Sequence, residues 1–197
     1  MSERSRESKE FYSLKALDYK DIEISFNTFK NNVIIITNMS TCCGLTKSNL
    51  NVLSDIQTLY RDYGLKVLIF PSLQYIKDDE VDALRKMYDI ITEYSDEFII
   101  FSDVNIYGKN VHPVFKHLIK WSKGLCGSFM KWDFPKFIIN DKGNLVKVYE
   151  PGDRFEVNNP IIKKLLKNKK CVKRQLKIVR YERNPYDIED SEEEIYY

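Results

Sequence analysis

The stretch Asn32-Val-Ile-Ile-Ile-Thr-Asn38 and the segment Met39-Ser-Thr-Cys-Cys-Gly-Leu-Thr46 that follows it decide the fold. The first is almost entirely apolar and rich in β-branched residues, which predicts a buried strand. After the second, apolar residues recur at helical spacing over 50–60, which predicts an amphipathic helix. A second apolar run, 66–70, follows the helix-ending Gly64. The pattern is therefore strand, helix, strand, with parallel strands and a right-handed crossover.

Cys43 lies between the predicted strand and the N-terminus of the predicted helix. The positive end of the helix dipole and the unpaired backbone N–H groups of the first helical turn both favour a negative charge at such a position. Both effects stabilise a thiolate, which is the reactive form of cysteine. Cys43 is therefore the candidate nucleophile of the chain.

Four segments, in order along the chain, carry recognisable motifs: Asn38-Met-Ser-Thr-Cys-Cys-Gly44, Phe70-Pro-Ser-Leu-Gln-Tyr75, Asn110-Val-His-Pro113 and Lys131-Trp-Asp-Phe-Pro-Lys-Phe137. They resemble signature motifs of the glutathione peroxidase family, the first of which reads Asn-Val-Ala-Ser-x-(Sec/Cys)-Gly. The resemblance spans about residues 11–166 and assigns the peroxidatic position to Cys43, not to Cys42.

The order of the remaining elements predicts an α/β protein with a thioredoxin-like fold, in which a central mixed β-sheet is flanked by helices. By analogy with thioredoxins, we expect a cis peptide bond between Phe134 and Pro135. We expect His112 and Pro113 to begin a helix. The other predictions are short edge strands at 11–14 and 22–26, helices at 79–93, 113–121 and 158–166, a strand at 98–101 and a hairpin at 136–149.

The resemblance implies a thiol-dependent peroxidase that reduces H2O2 or organic and lipid hydroperoxides. Cys43 would be the nucleophile, and Gln74 and Trp132 would donate hydrogen bonds to the thiolate and to the leaving oxygen. No bound cofactor is implied, because the electrons would come from an external thiol, either glutathione or thioredoxin.

Asp133 stands where the family motif has Asn. An ionised carboxylate cannot donate a hydrogen bond to a thiolate, and the two charges about 4 Å apart would repel by roughly 4 kcal/mol at an effective dielectric constant near 20. We expect this to raise the pKa of Cys43 unless Asp133 is protonated, faces solvent or pairs with Lys131 or Lys136.

The resolving cysteine of thioredoxin-dependent members is also missing, since no cysteine occurs between residues 44 and 125. Cys126 and Cys42 are the candidates for that role, and the alternative is reduction of a Cys43 sulfenic acid by an external thiol alone. Together with Asp133, this absence favours a second hypothesis, a degenerate, weakly active member that acts as a redox sensor or binding module.

Composition narrows the class of protein. The net charge of +2 over 197 residues does not indicate nucleic-acid binding, and four cysteines do not form a disulfide framework. No apolar run approaches the roughly 20 residues of a membrane span, and the N-terminus lacks a secretory signal, so a cytoplasmic protein is expected. The spacing of its two His and four Cys predicts no metal site.

The short segment between His112 and Trp132 is similar to that of the smaller family members, which implies a monomer that accepts bulky lipid hydroperoxides. Weak contact with anionic lipid through lysines near the site would suit such a substrate. The three lysines concerned are Lys120, Lys123 and Lys131.

Both ends of the chain are highly charged. Residues 1–10 are polar, and we expect them to be disordered before a single domain at 11–166. Residues 167–183 carry eight basic residues and one acid, and residues 184–197 carry six acids and no base. This charged C-terminal extension, a basic arm followed by an acidic tail, is expected to be disordered, with contact to anionic lipid or nucleic acid as the alternative.

Overall fold

Seven strands and five helices occur in the part of the chain that the computed structural model describes, residues 2–40, 44–74, 80–122, 134–167 and 169. The strands are β1 (Lys15–Leu17), β2 (Glu23–Ser25), β3 (Val33–Met39), β4 (Leu65–Pro71), β5 (Ile99–Ile100), β6 (Lys136–Ile139) and β7 (Leu145–Tyr149). The helices are α1 (Glu3–Tyr12), α2 (Gly44–Tyr60), α3 (Glu80–Tyr94), α4 (Pro113–Trp121) and α5 (Pro160–Leu166), and short 3-10 turns cover Phe26–Phe29 and Arg61–Tyr63. None of these helices is long and apolar enough to cross a membrane.

The central sheet has the strand order β5-β4-β3-β6-β7. Strand β3 pairs in parallel with β4 and antiparallel with β6, so the sheet is mixed, as predicted. Strands β1 and β2 form a separate antiparallel pair. The predicted crossover from β3 through α2 to the parallel β4 is confirmed, and Gly64 ends it in the left-handed region with φ 82°.

Every residue of β3 is buried, and alternate side chains point into the two cores on opposite faces of the sheet. Ile34 and Ile36 join the core that contains Phe11, whereas Val33 and Ile35 join the core that contains α2. Each such side chain contributes roughly 1.5–3 kcal/mol through burial. This strand is therefore the rigid centre to which the site is attached.

The prediction of disorder over residues 1–10 and of a strand at 11–14 is wrong, because α1 occupies residues 3–12. The Ser2 hydroxyl caps this helix by accepting a hydrogen bond from the backbone N–H of Ser5. Glu7 and Phe11, one helical turn apart, are both buried, and the Phe11 ring lies 5.3 Å from that of Phe26. Tertiary packing of one face thus orders a helix that is polar on average.

The predicted cis peptide bond before Pro135 is also wrong, since no cis bond occurs in the described residues. Phe134 instead adopts a left-handed conformation with φ 62°, and its backbone N–H donates to the carbonyl of Asn38 at 3.2 Å. The chain therefore enters β6 through an unusual φ angle at Phe134.

The domain boundary at 166/167 remains a prediction. Of the basic arm and acidic tail, only Lys167 and Lys169 belong to the described residues. The expected disorder of residues 170–197 lies outside them.

Candidate active site at the carboxyl ends of the central strands

The candidate site lies where β3 and β4 end side by side. Strand β3 ends at Met39 and α2 begins at Gly44, so Cys43 directly precedes the first residue of the helix in sequence. The backbone N–H of Ser72 donates to the Met39 carbonyl at 2.8 Å, and that of Phe134 donates to the neighbouring Asn38 carbonyl. Ser72, two residues before Gln74, and Phe134 are thus both attached to the end of β3 that precedes Cys43 in sequence.

Gln74 is the one predicted site residue that the structure describes. The other predicted positions lie outside the described residues, and their roles remain predictions. These positions are Cys42, Cys43, Cys126, Trp132 and Asp133.

The half-buried Gln74 is held by the loop that follows β5. Its Oε1 accepts hydrogen bonds from the backbone N–H groups of Ile106 at 2.7 Å and Tyr107 at 3.2 Å. Its Nε2 donates to the Tyr107 carbonyl at 3.0 Å. An amide nitrogen carries two hydrogens, so Gln74 is anchored while one donor remains for another partner.

The 103–107 loop is itself joined to the end of β4. The backbone N–H of Leu73 donates to Asp103 Oδ1 at 2.7 Å, and that of Val104 donates to the Pro71 carbonyl at 3.1 Å. Asp103 and this loop could not be predicted from the sequence, because partners about 30 residues apart leave no local pattern. These bonds fix the position of Gln74 relative to the sheet.

His112 acts as the N-cap of α4, as expected. Its Nδ1 accepts a hydrogen bond from the backbone N–H of Val114 at 3.3 Å, and Pro113 occupies the first turn. Burial lowers the pKa of His112, which favours the neutral ring that this acceptor role requires. His112 therefore has a structural role in the described part of the site.

The burial of Lys136, which was expected only as a possible partner of Asp133, is a second feature that was not predicted from the sequence. This residue begins β6 and is only 1% exposed, and its Nζ lies 5.6 Å from the centre of the Phe155 ring. Burial lowers the pKa of Lys136 to about 8, against the opposing effect of the Asp153 charge. Its strand neighbour Phe137 pairs with Ile36 of β3, so the buried amine lies on the strand adjacent to the one that leads to Cys43.

The described residues contain no group of three or more His, Cys, Asp or Glu side chains that could hold a metal ion. At this end of the sheet they contribute backbone hydrogen bonds between neighbouring segments, the anchored amide of Gln74 and the buried amine of Lys136.

The sequence of the chain matches one protein family model and several curated relatives. The family model described as "Glutathione peroxidase" matches residues 11–119. The chain is 36% identical over 153 residues to the Encephalitozoon cuniculi (strain GB-M1) protein named "Probable phospholipid hydroperoxide glutathione peroxidase", which covers 77% of this chain and 86% of that protein. A Citrus sinensis protein of the same name is 33% identical over 166 residues, covering 84% and 98% of the two chains.

Solved structures agree on the fold. The crystal structure of Trgpx in apo form superposes with a TM-score of 0.62 and 26% identity over 81% of this chain and 97% of its own. T. cruzi GPX1 gives a TM-score of 0.60 at 23% identity over 79% and 94% of the two chains. A thioredoxin family thiol:disulfide interchange protein from Chlorobium tepidum TLS, at 13% identity, matches in fold alone with a TM-score of 0.55 over 78% and 93% of the two chains. The predicted thioredoxin-like fold is confirmed.

Proposed function

The chain belongs to the glutathione peroxidase family, and from this membership we infer that it is a thiol-dependent peroxidase that reduces hydroperoxides. The observation that carries this inference is the match over more than three quarters of the chain to a relative that is 36% identical. The nearly complete coverage of related structures supports it.

Cys43 is proposed as the nucleophile. Its thiolate attacks one peroxide oxygen, the S–O bond forms as the O–O bond breaks, and the leaving alkoxide or hydroxide takes up a proton. The product is a Cys43 sulfenic acid, which two reducing thiols return to the thiol with release of water and formation of a disulfide. Support comes from the position of Cys43 in sequence, directly before the 17-residue helix α2.

Gln74 and Trp132 are proposed as hydrogen-bond donors to the thiolate and the leaving oxygen. For Gln74, the support is the anchored amide, whose second N–H is not used in the bond to the Tyr107 carbonyl. A preorganised donor of this kind needs no reorientation as negative charge develops, which is the main source of its catalytic effect.

Lys136 is proposed to offset the negative charge of Asp133. A buried ammonium is unfavourable unless an anion balances it, and Asp133 precedes Lys136 by three residues. Such pairing would leave the Cys43 thiolate with less repulsion than an unpaired carboxylate would produce.

The reductant is proposed to be glutathione or thioredoxin, with Cys126 or Cys42 as the candidate resolving thiol. Serine substitution at each of the two positions distinguishes the options. If thioredoxin-dependent turnover is lost in one variant while reduction by glutathione persists, that cysteine is the resolving thiol. Equal turnover in both variants supports the one-cysteine reaction.

The substrate is proposed to include lipid hydroperoxides, because the sequence relatives carry that substrate in their names. We further propose a monomer located in the cytoplasm, with weak contact to anionic lipid. Comparing oxidation rates for H2O2 and a phosphatidylcholine hydroperoxide tests the substrate proposal. Sedimentation velocity tests the monomer.

The central test is stopped-flow oxidation of the reduced protein in matched variants, Cys43→Ser and Cys42→Ser. Fast oxidation by hydroperoxide that is lost in Cys43→Ser and retained in Cys42→Ser establishes the proposed nucleophile. If the wild type reacts no faster than a free thiol, the proposed peroxidase reaction is wrong. The adjacent cysteine makes Cys42→Ser a close control for local structural effects.

A further inference from the structure

A groove of about 390 Å³ lies at the end of the fold opposite the candidate active site. Tyr63, one of its lining residues, precedes Gly64, whose carbonyl accepts the backbone N–H of Val33 at the start of β3. The candidate site lies at the far end of this seven-residue strand, roughly 20 Å away at 3.3 Å per residue. The groove is therefore separate from the peroxidase chemistry.

The walls of the groove are apolar and its rim is cationic. Leu59 and Tyr63 line it and are 49% and 40% exposed, so the groove presents apolar surface to solvent. Lys163 and Lys167, both exposed, lie on the α5 side. No acidic residue of the described chain lines the groove, so an occupant should be anionic with apolar side chains.

Tyr60 adds an unsatisfied polar atom. It lines the groove, and its hydroxyl is buried without a hydrogen-bond partner among the described residues. Burial raises the pKa of Tyr60, so the hydroxyl stays protonated and can donate. Buried polar atoms are nearly always paired, so this hydroxyl is an unsatisfied group in a residue that lines the groove.

We propose that the acidic tail of this same chain, residues 184–197, occupies the groove. The tail has six acids, no base, and the apolar residues Ile195, Tyr196 and Tyr197, which match the cationic rim and apolar walls. The described chain reaches Lys169, itself a lining residue, so the segment that leads to the tail begins at the groove.

The length of the connecting segment permits this docking. Residues 170–183 separate Lys169 from the tail by 14 positions, and a flexible coil of that length spans roughly 20 Å. A tether of this length gives an effective concentration in the millimolar range, so even a weak contact is substantially occupied. Lys169 is held by the Asn31 carbonyl and lies 3.6 Å from Asp141 Oδ2, which fixes where the linker starts.

The proposal is tested on the full-length protein with a zero-length carbodiimide cross-linker at low protein concentration. Peptide mass spectrometry should find intramolecular links from the tail carboxylates to Lys163 and Lys167, several-fold more abundant than links to Lys116, an exposed lysine on α4. Links mainly to Lys173–Arg183 of the basic arm, or between two copies of the chain, overturn it.

A protease provides the second measurement. Glutamyl endopeptidase should remove residues after Glu192–Glu194 roughly tenfold faster in the Lys163→Glu/Lys167→Glu variant, a factor that corresponds to about 1.4 kcal/mol of lost docking. Cleavage of the wild type should accelerate similarly in 1 M salt, where the screening length is about 3 Å. Equal cleavage rates for the wild type, this variant and the control Lys116→Glu overturn the proposal. Peroxidase activity is not a readout here, so the result is independent of the proposed function.

Discussion

Gln74 and Tyr107 are joined by two hydrogen bonds that run in opposite directions. The Gln74 amide nitrogen donates to the Tyr107 carbonyl at 3.0 Å, and its oxygen accepts from the Tyr107 backbone N–H at 3.2 Å. A side chain held at both ends of its amide cannot rotate without breaking both bonds. The proposed thiolate donor is therefore fixed by the fold before any substrate binds.

The first prediction concerns the isosteric substitution Gln74→Met. It should lower the free energy of unfolding by about 1–3 kcal/mol, because the backbone N–H groups of Ile106 and Tyr107 and the Tyr107 carbonyl lose their partner. It should also slow oxidation of Cys43 by H2O2 on the order of 100-fold, because one donor to the developing charge is lost. Chemical denaturation and stopped-flow oxidation measure the two effects.

The chain provides a matched control in Gln57 of α2. This buried side chain has the same reciprocal arrangement, since its Oε1 accepts from the Val67 backbone N–H at 2.9 Å and its Nε2 donates to the Leu65 carbonyl at 3.4 Å. Gln57→Met should destabilise the protein comparably and leave the oxidation rate of the folded molecules unchanged. Equal slowing in both variants would show that Gln74 acts only through the fold.

The sheet could be predicted from sequence because its signals are local. The apolar run of β3, the periodicity of α2 and the left-handed Gly64 each lie within a few residues of the structure they specify. Helix α1 could not be predicted in this way. It is polar on average, and the bond that orders it joins Glu7 to Leu145, 138 residues away in sequence.

The same distinction between local signals and long-range contacts applies to the candidate site. Gln74 was identifiable only from its motif, whereas its partners Ile106 and Tyr107 lie 32 and 33 residues away and form no pattern with it. The burial of Lys136 could not be predicted from the sequence either, because a lysine at the start of a strand ordinarily faces solvent. Long-range packing, not local propensity, decides both features.

The second prediction concerns Asp133→Asn, which restores the residue of the family motif. The family motif implies that Asp133 lies near the proposed thiolate, so removing its carboxylate should lower the pKa of Cys43 and accelerate its oxidation at neutral pH. The rate of alkylation of Cys43 as a function of pH measures the pKa directly. Stopped-flow oxidation by hydroperoxide measures the consequence.

Asp89→Asn is the control for a general change of net charge, since Asp89 is an exposed residue of α3. It should leave both measurements unchanged. An Asp133→Asn protein with the wild-type Cys43 pKa would mean that the Asp133 charge is already neutralised or remote. The proposed pairing with Lys136 would then become the first explanation to examine.

The third prediction is a pH dependence that arises from Glu7. Its carboxylate accepts a hydrogen bond from the Leu145 backbone N–H at 2.6 Å, yet burial raises its pKa above the usual 4.5. The folded state therefore binds this proton more tightly than the unfolded state. As the pH falls from 7 towards 4.5, the wild type should therefore gain stability relative to Glu7→Gln.

Urea denaturation of both proteins between pH 4 and 7 measures this difference. Glu93→Gln, at an exposed position of α3, should show no such trend relative to wild type. If the difference in the free energy of unfolding between wild type and Glu7→Gln does not change with pH, burial does not raise the pKa of Glu7.

The fourth prediction concerns Lys136→Met, which removes the buried amine and keeps most of its volume. The pKa of Lys136 is lowered from 10.5 to about 8, so between these values the unfolded chain holds a proton that the folded protein has released. Stability therefore rises with pH across this window, and wild type should gain on the order of 2–3 kcal/mol relative to Lys136→Met between pH 8 and 10.5. Lys116→Met, at an exposed position, should show no comparable trend.

Lys136→Met also tests the proposed pairing of Lys136 with Asp133. Loss of the Lys136 charge should raise the pKa of Cys43 when Asp133 is present and much less in the Asp133→Asn background. Equal effects in both backgrounds would mean that Lys136 and Asp133 are not coupled, and the proposed pairing would be wrong.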